Sequence, residues 1–256
     1  MTQPLADSCA AANADILGVA LLDFINGDSS GLITSHCSDG EVLNLPVSLF
    51  FRGPEEFPRL EQQALELCRG TVLDLGAGAG CHSLALQDRG LPVTAVDISP
   101  GAVEVLRRRG VRSVVRADVL ELVCDPVDTL LMLMNGIGIV GALPQLETFL
   151  LRARQLVRPG GQILLDSLDI RGFLAARGSH EHGIYPGEVR YRWEYHGQLS
   201  EEFRWLYVDP ITLCQYAARC GWRYPAVFIE ENGDYLAQLQ LPPSSGPDEP
   251  NSCAAP

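Results

Sequence analysis

The chain has 256 residues, enough for one large α/β domain with its own core. Its 32 acidic residues against 19 Lys and Arg leave a formal charge of −13. That balance repels phosphate backbones and anionic lipid, so neither nucleic acid nor membrane is expected as a partner.

Residues 13–26 carry apolar side chains at helical spacing. A Gly/Ser/Asp stretch follows, and 41–52 is apolar but irregular. Residues 1–54 therefore read as a helical and irregular cap. A helix over 55–69 begins near Pro58 and stops at Gly70. Strand-like and helix-like runs then alternate. Strands are predicted at 71–75, 92–96, 112–116, 127–133 and 162–166, with helices from the Gly-rich turn to Arg89, at 100–109 and at 144–157. The last of these helices ends before Pro159-Gly160-Gly161.

The rhythm changes after 166. Segments 189–196 and 202–208 read as two antiparallel strands, an inserted hairpin linked through Gly197. A helix covers 209–220, capped by Asp209 with Pro210 at its first position. Strands at 222–230 and 234–241 turn tightly at Asn232-Gly233. The fold class is α/β: a Rossmann-like, doubly wound, seven-stranded and mainly parallel sheet with an inserted antiparallel hairpin. One domain spans 1–241, with a cofactor-binding core at 55–166, an insertion at 167–208 and a C-terminal helix and strands at 209–241. Residues 242–256 read as a disordered tail.

The eight cysteines are scattered without a CxxC pair, which fits a reducing, cytoplasmic setting better than a disulfide framework. The first residues lack the basic and apolar regions of a secretory leader, and no apolar run is long enough for a membrane span.

The strongest local feature is Asp74-Leu75-Gly76-Ala77-Gly78-Ala79-Gly80 between a strand and a helix. Glycines let the chain turn sharply and let a cofactor lie against bare backbone. The spacing is GxGxG, unlike the GxGxxG of a dinucleotide site. Asp74 at the strand end would repel a pyrophosphate and favour a cationic group. Asp97 closes the second strand 21 residues after Gly76 and suits a pair of ribose hydroxyls. Ile98 would pack on a base, and Ser99 is free to cap the next helix. Asp118 follows the third strand.

Residues 71–166 resemble the core of the class I S-adenosylmethionine-dependent methyltransferases. VLDLGAGAG is similar to the first cofactor motif, VTAVDISPGAV to the second, RADVLEL to the third and VDTLLMLMNGIG to the fourth; LVRPGGQILLDS is similar to the entry into the fifth strand. The wider chain resembles a bacterial, small-molecule-type subgroup with no named acceptor. The resemblance implies S-adenosylmethionine binding by Asp74, Gly76, Gly78, Gly80, Asp97, Ile98, Asp118 and Asn135. It implies methyl transfer to an O, N or S atom of a small molecule. A non-catalytic S-adenosylmethionine-binding module or sensor subunit is the alternative.

Acceptor candidates lie at strand ends. Asn135 after the fourth strand and Asp166 after the fifth are the catalytic candidates. The NGIG around Asn135 departs from the Asn/Asp-Pro-Pro-aromatic motif of some amino-directed members. Arg52, Asp169, Glu188 and Trp205 are candidates for holding the acceptor, Arg52 as a bidentate clamp. His82 reads as a packing or cofactor-edge residue. His180-Glu181-His182 lacks a third ligand, and no metal is expected.

Overall fold

The computed structural model describes residues 15–38, 40–173 and 184–243. Helix α1 (Ile16–Ile25) leads into β1 (Leu32–Cys37) and β2 (Val42–Pro46), an antiparallel pair. Short 3-10 turns at Val47–Phe51 and Pro54–Glu56 precede α2 (Arg59–Leu67). The alternating core follows: β3 (Val72–Leu75), α3 (Cys81–Asp88), β4 (Val93–Asp97), α4 (Pro100–Arg108), β5 (Ser113–Arg116), β6 (Val127–Met132), a 3-10 turn at Gly136–Val140, α5 (Leu143–Leu156) and β7 (Val157–Leu168). Then come β8 (Glu188–Tyr195), β9 (Gln198–Leu199), β10 (Phe203–Leu206), α6 (Pro210–Arg219), β11 (Arg223–Ile229) and β12 (Asp234–Gln240).

The central sheet runs β11-β12-β7-β6-β3-β4-β5. The five strands from β3 to β7 are mutually parallel, and β12 enters antiparallel against β7. Alternation along each strand feeds two cores. Leu131, Leu133, Leu164 and Leu236 pack with α2 and α3. Leu130, Met132, Ile163, Leu165 and Tyr235 pack with α5 and α6 on the opposite face. This arrangement is the doubly wound sheet expected from the sequence. Among the described residues no helix is long and apolar enough to cross a membrane.

Three features differ from the sequence reading. The stretch 32–46 is not irregular: it forms β1 and β2, which complete a second, antiparallel sheet in the order β10-β8-β1-β2, with β9 also on β8. The predicted hairpin is therefore half of a larger sheet. Its partner strands lie about 150 residues away in sequence, beyond the reach of a local pattern. Strand β7 also begins at Val157 and runs through Pro159-Gly160-Gly161, where a break was expected. Gly160 takes φ +83°, and the register against β6 shifts between Val127 and Thr129, so an irregular strand absorbs the Pro-Gly-Gly. Finally, Cys37, Cys68, Cys81, Cys124 and Cys220 are not in disulfides, but Cys214 is disulfide-bonded, which the scattered spacing did not suggest. His180-Glu181-His182 and nearly all of the expected tail lie outside the described residues.

Helices α1 and α4 cross at close range. A Cβ on Gly101 would sit 2.5 Å from the Gly18 Cα, so only glycine permits this approach. Asp15 locks the crossing. One carboxylate oxygen accepts the Gly18 amide, and the other accepts the Ser99 hydroxyl and the Gly101 amide. The anchored α4 N-terminus follows directly on Asp97.

Candidate active site

The glycine turn takes left-handed backbone at Gly76 (φ +71°), Gly78 (φ +54°) and Gly80 (φ +84°). An L side chain would be strained at each. The amides of Gly76 and Ala77 both donate to the Val96 carbonyl, which ties the turn to the end of β4. Asp97 completes the tie, accepting the Gly78 amide at 2.8 Å and the Ser99 amide at 2.9 Å. Ser99 itself caps α4 by accepting the Ala102 amide, so Asp97 is not consumed as a helix cap. Asp97 is 7% exposed, and burial pushes its carboxyl above the ordinary range against the pull of the Ser99 and Gly78 amides. Beside it, Ile98 is 62% exposed, an unusual position for so large an apolar side chain.

Asp74 lies behind the turn, almost fully buried, and accepts the Ser83 hydroxyl at 2.5 Å. Burial raises its carboxyl; His82 and Ser83 pull it back. At the end of β6 the backbone turns sharply, with Met134 and Asn135 both at positive φ (62° and 56°). Asp166, on the adjacent β7, accepts the amides of Met134 and Gly136 and so braces this turn. Burial pushes the Asp166 carboxyl up to about 7, against the Gly136 amide that favours its charged form. The Asn135 amide donates weakly to the Leu206 carbonyl at 3.5 Å, while its Oδ1 is buried with no partner among the described residues. Trp205 lies over the same turn: a Cβ on Gly138 would meet its indole Nε1. The second sheet thus covers the β6 end, with Trp205 over Gly138 and the Leu206 carbonyl at Asn135.

Other candidates have partners that define a different task. Arg52 is not a free clamp. Its Nε donates to the Leu49 carbonyl, and its Nη2 pairs with Glu61 at 3.0 Å. Glu188 accepts the Leu143 amide and so satisfies an open donor at the start of α5. Asp169 pairs with Arg171, which also reaches the buried Asp209. Asp118 accepts the Leu120 amide within its own turn. A shallow groove of about 370 Å³ lies between His36, Arg192 and Leu199 on the second sheet. None of the cleft residues lines it.

Known proteins share this architecture. A methyltransferase-domain family model matches residues 72–161, the span from β3 into β7. A solved S-adenosylmethionine-dependent methyltransferase from Bacteroides fragilis, in complex with S-adenosylhomocysteine, is 39% identical, with a TM-score of 0.81 over 90% of this chain and 96% of that one. The chain belongs to the S-adenosylmethionine-dependent methyltransferases. A ubiquinone biosynthesis O-methyltransferase of Xanthomonas oryzae pv. oryzae is 33% identical over 112 residues, 41% of this chain and 46% of the relative. A cypemycin N-terminal methyltransferase of Streptomyces sp is 33% identical over 172 residues, 65% of this chain and 62% of the relative. The methyltransferase thus spans about half the length of the first of these curated relatives and somewhat more of the second.

The cleft of the methyltransferase fits the cofactor of this family. Bare backbone at Gly76 and Gly78, a fixed acid at Asp97, an exposed Ile98 beside it and an Asn135 Oδ1 unpartnered among the described residues lie at the carboxyl ends of β3, β4 and β6. Two residues escaped the sequence reading as a pair. Glu61 on α2 and His82 on α3 are both about 6% exposed and meet at 2.8 Å. A Glu among the polar residues of an amphipathic helix looks like a surface residue until packing turns it inward. A buried carboxylate then demands partners, and Arg52 and the His82 ring supply them.

Proposed function

We propose that the methyltransferase transfers a methyl group from S-adenosylmethionine to an O, N or S atom of a small-molecule acceptor. One observation carries the reading: Asp166 is pinned by the Met134 and Gly136 amides beside an Asn135 whose buried Oδ1 has no partner among the described residues. That pairing puts a fixed proton acceptor and an open hydrogen-bond acceptor side by side at the strand ends, where ligands of such sheets bind. When bound, the cofactor supplies the activated methyl carbon, so alignment and water exclusion remain for the protein.

In this reading Asp97 holds the ribose hydroxyls, Ile98 covers the adenine and Asp118 takes the adenine amino group. Gly76, Gly78 and Gly80 let the turn pass close beneath, and Asp74 faces the ammonium end. Asp166 receives the proton that an O–H or N–H acceptor loses, and Asn135 orients the acceptor. Trp205 walls the pocket; Arg52 and Glu188 support it through Glu61 and α5 rather than by touching the acceptor. The relatives' names include both O- and N-methylation, which supports the class without choosing the atom. The acidic charge favours a small metabolite over nucleic acid, and the buried thiols Cys68, Cys81 and Cys220 suit a cytoplasmic setting although the Cys214 disulfide does not.

The test is acceptor-dependent formation of S-adenosylhomocysteine by purified protein across pooled metabolites. Turnover with a defined acceptor, lost in Asp166→Asn while cofactor affinity persists, supports the assignment. Absence of turnover across broad pools that hold phenols, amines and thiols counts against it.

A further inference from the structure

One face of the second sheet is aromatic. Side chains alternate along a strand, so Tyr191 and Trp193 of β8 share a face with Phe203 and Trp205 of β10, and Tyr207 continues the row just beyond β10. Phe203 pairs directly with Tyr191 across the sheet. Its ring stands nearly perpendicular to Trp193, with centroids 5.1 Å apart, and to Trp205 at 6.2 Å. The Tyr191 and Tyr207 hydroxyls are hydrogen-bonded to each other at 3.0 Å. The opposite face carries Arg190, Arg192 and Arg204, all exposed, so the aromatic face is the one turned toward the protein.

This face is not packed as a core is. Val189 and Tyr195, on the same face of β8, are 8% and 3% exposed, whereas the five aromatic side chains between and beside them stay half-buried. Among the described residues, only Trp193 of the five packs against one of the hydrophobic cores, the one around α1. A contiguous group of partly open rings marks a binding surface. Its two ends fix what it faces. The Trp205 indole rests on bare Gly138, where an added Cβ would collide with its Nε1, and the next carbonyl, that of Leu206, receives the Asn135 amide. At the other end Trp193 shares a core with Phe50, and Phe50 Cδ1 lies 3.9 Å from where a Gly78 Cβ would stand. The aromatic wall therefore runs between the turn braced by Asp166 and the glycine turn, the two margins of the cleft.

Ring faces are electron-rich and ring edges electron-poor, so such a wall takes a flat ring better than a saturated one of the same size. Asn135 Oδ1, buried and without a partner among the described residues, can only accept, so the bound group must donate; O–H and N–H do this well and S–H poorly. Asp166, raised to about 7, matches a phenolic hydroxyl, ordinarily near 10, better than it matches an alkanol.

We propose that the acceptor is a flat aromatic molecule with a hydroxyl or amino group on its ring, seated against Phe203 and Trp205 with that group at Asn135. This names the acceptor class for the methyl transfer proposed above and rests on that reading. The ring oxygen or nitrogen bonds the methyl carbon as the carbon–sulfur bond breaks. The bonding pair stays on sulfur to give S-adenosylhomocysteine, and the proton lost by the ring group passes to Asp166.

The test titrates matched probes into the full chain saturated with S-adenosylhomocysteine: 2-naphthol against decahydro-2-naphthol, and catechol against 1,2-cyclohexanediol. Each flat probe should bind at least about tenfold tighter than its saturated counterpart. Phe203→Leu, which keeps an apolar side chain but no ring, should lose about threefold to tenfold of that preference while S-adenosylmethionine binds as in wild type, and Phe203→Tyr should retain it. Equal binding within a pair, binding of neither member up to millimolar concentration, or a preference untouched in both Phe203→Leu and Trp205→Leu overturns the proposal. Turnover separates it from the reading on which it rests. Formation of S-adenosylhomocysteine from alkanols or alkylamines but not from phenols or anilines overturns the aromatic class and leaves methyl transfer standing. Preferential binding of the flat probes with no turnover of any acceptor supports the aromatic site and counts against the transfer.

Discussion

Asp97 does two things with one carboxylate: it takes the Gly78 amide and the Ser99 amide while part of its surface stays open to the cleft. Each oxygen keeps a lone pair, which the proposed ribose contact would use. Asp97→Asn removes the charge from those bonds, and hydrogen bonds to charged groups contribute about 1.5–3 kcal/mol. The expected outcome is S-adenosylmethionine binding weaker by about 10–100-fold in calorimetry. Asp166 carries a prediction of a different kind. Burial raises its carboxyl to about 7, so in the proposed role it can take up a proton as a base only above that value. Turnover should therefore rise with pH through about 7 and then level. Asp166→Asn should erase that limb and lower kcat by about 10²–10⁴, the usual contribution of a positioned acid or base. A limb that persists in the variant belongs to the acceptor instead. The positive-φ glycine turn and the strand end at Asp97 were legible because turn geometry and strand-end spacing are local. Arg52 was not, since its partner Glu61 is fixed by the docking of α2.

At the scale of elements, the α1–α4 crossing governs how rigidly Asp97 is presented. Gly101 admits α1 because neither helix carries a side chain at the contact. Gly101→Ala forces a Cβ to within 2.5 Å of the Gly18 backbone, and backbone cannot swing aside as a flexible side chain can. Overpacking of this sort costs about 1–3 kcal/mol. A lower midpoint in thermal unfolding, with weaker cofactor binding from a loosened Ser99–Asp15 tie, is the expected result. An unchanged midpoint would mean that α1 is docked too weakly to matter. The second sheet makes a contrasting case. Each strand of its β8–β10 half reads as a strand alone, yet β1 and β2 carry exposed Leu32, Val42 and Leu43, so their alternation is too weak to announce them. Pairing of Ser35 with Trp193 and of His36 with Arg192 is what makes β1 an interior strand.

For the whole molecule, a ligand that binds only the folded state raises its stability by mass action. Saturation at about 100 times Kd adds about 2.7 kcal/mol. For a domain of this size that is a rise of about 5–10 °C in the unfolding midpoint, measured by scanning calorimetry with S-adenosylmethionine or S-adenosylhomocysteine. NAD at the same concentration should leave the midpoint in place. A response to NAD and none to the sulfonium nucleoside would reverse the reading of the GxGxG turn.

The amino-acid order alone determined the central sheet and its cofactor edge. Buried parallel strands are continuous apolar runs, helices repeat every 3.6 residues, and a turn that needs positive φ must spend glycines, so each of these signals is written within a few residues. Only the tertiary structure decided which side chains were free to act. It drew Arg52, Glu61 and His82 from three separate segments into one buried chain, gave Glu188 to the start of α5 and Asp169 to Arg171, and joined β1 and β2 to a distant hairpin. The Glu188 and β1–β8 contacts span many tens of residues, and even the short ones, from Arg52 to Glu61 and from Asp169 to Arg171, depend on how packing turns the side chains.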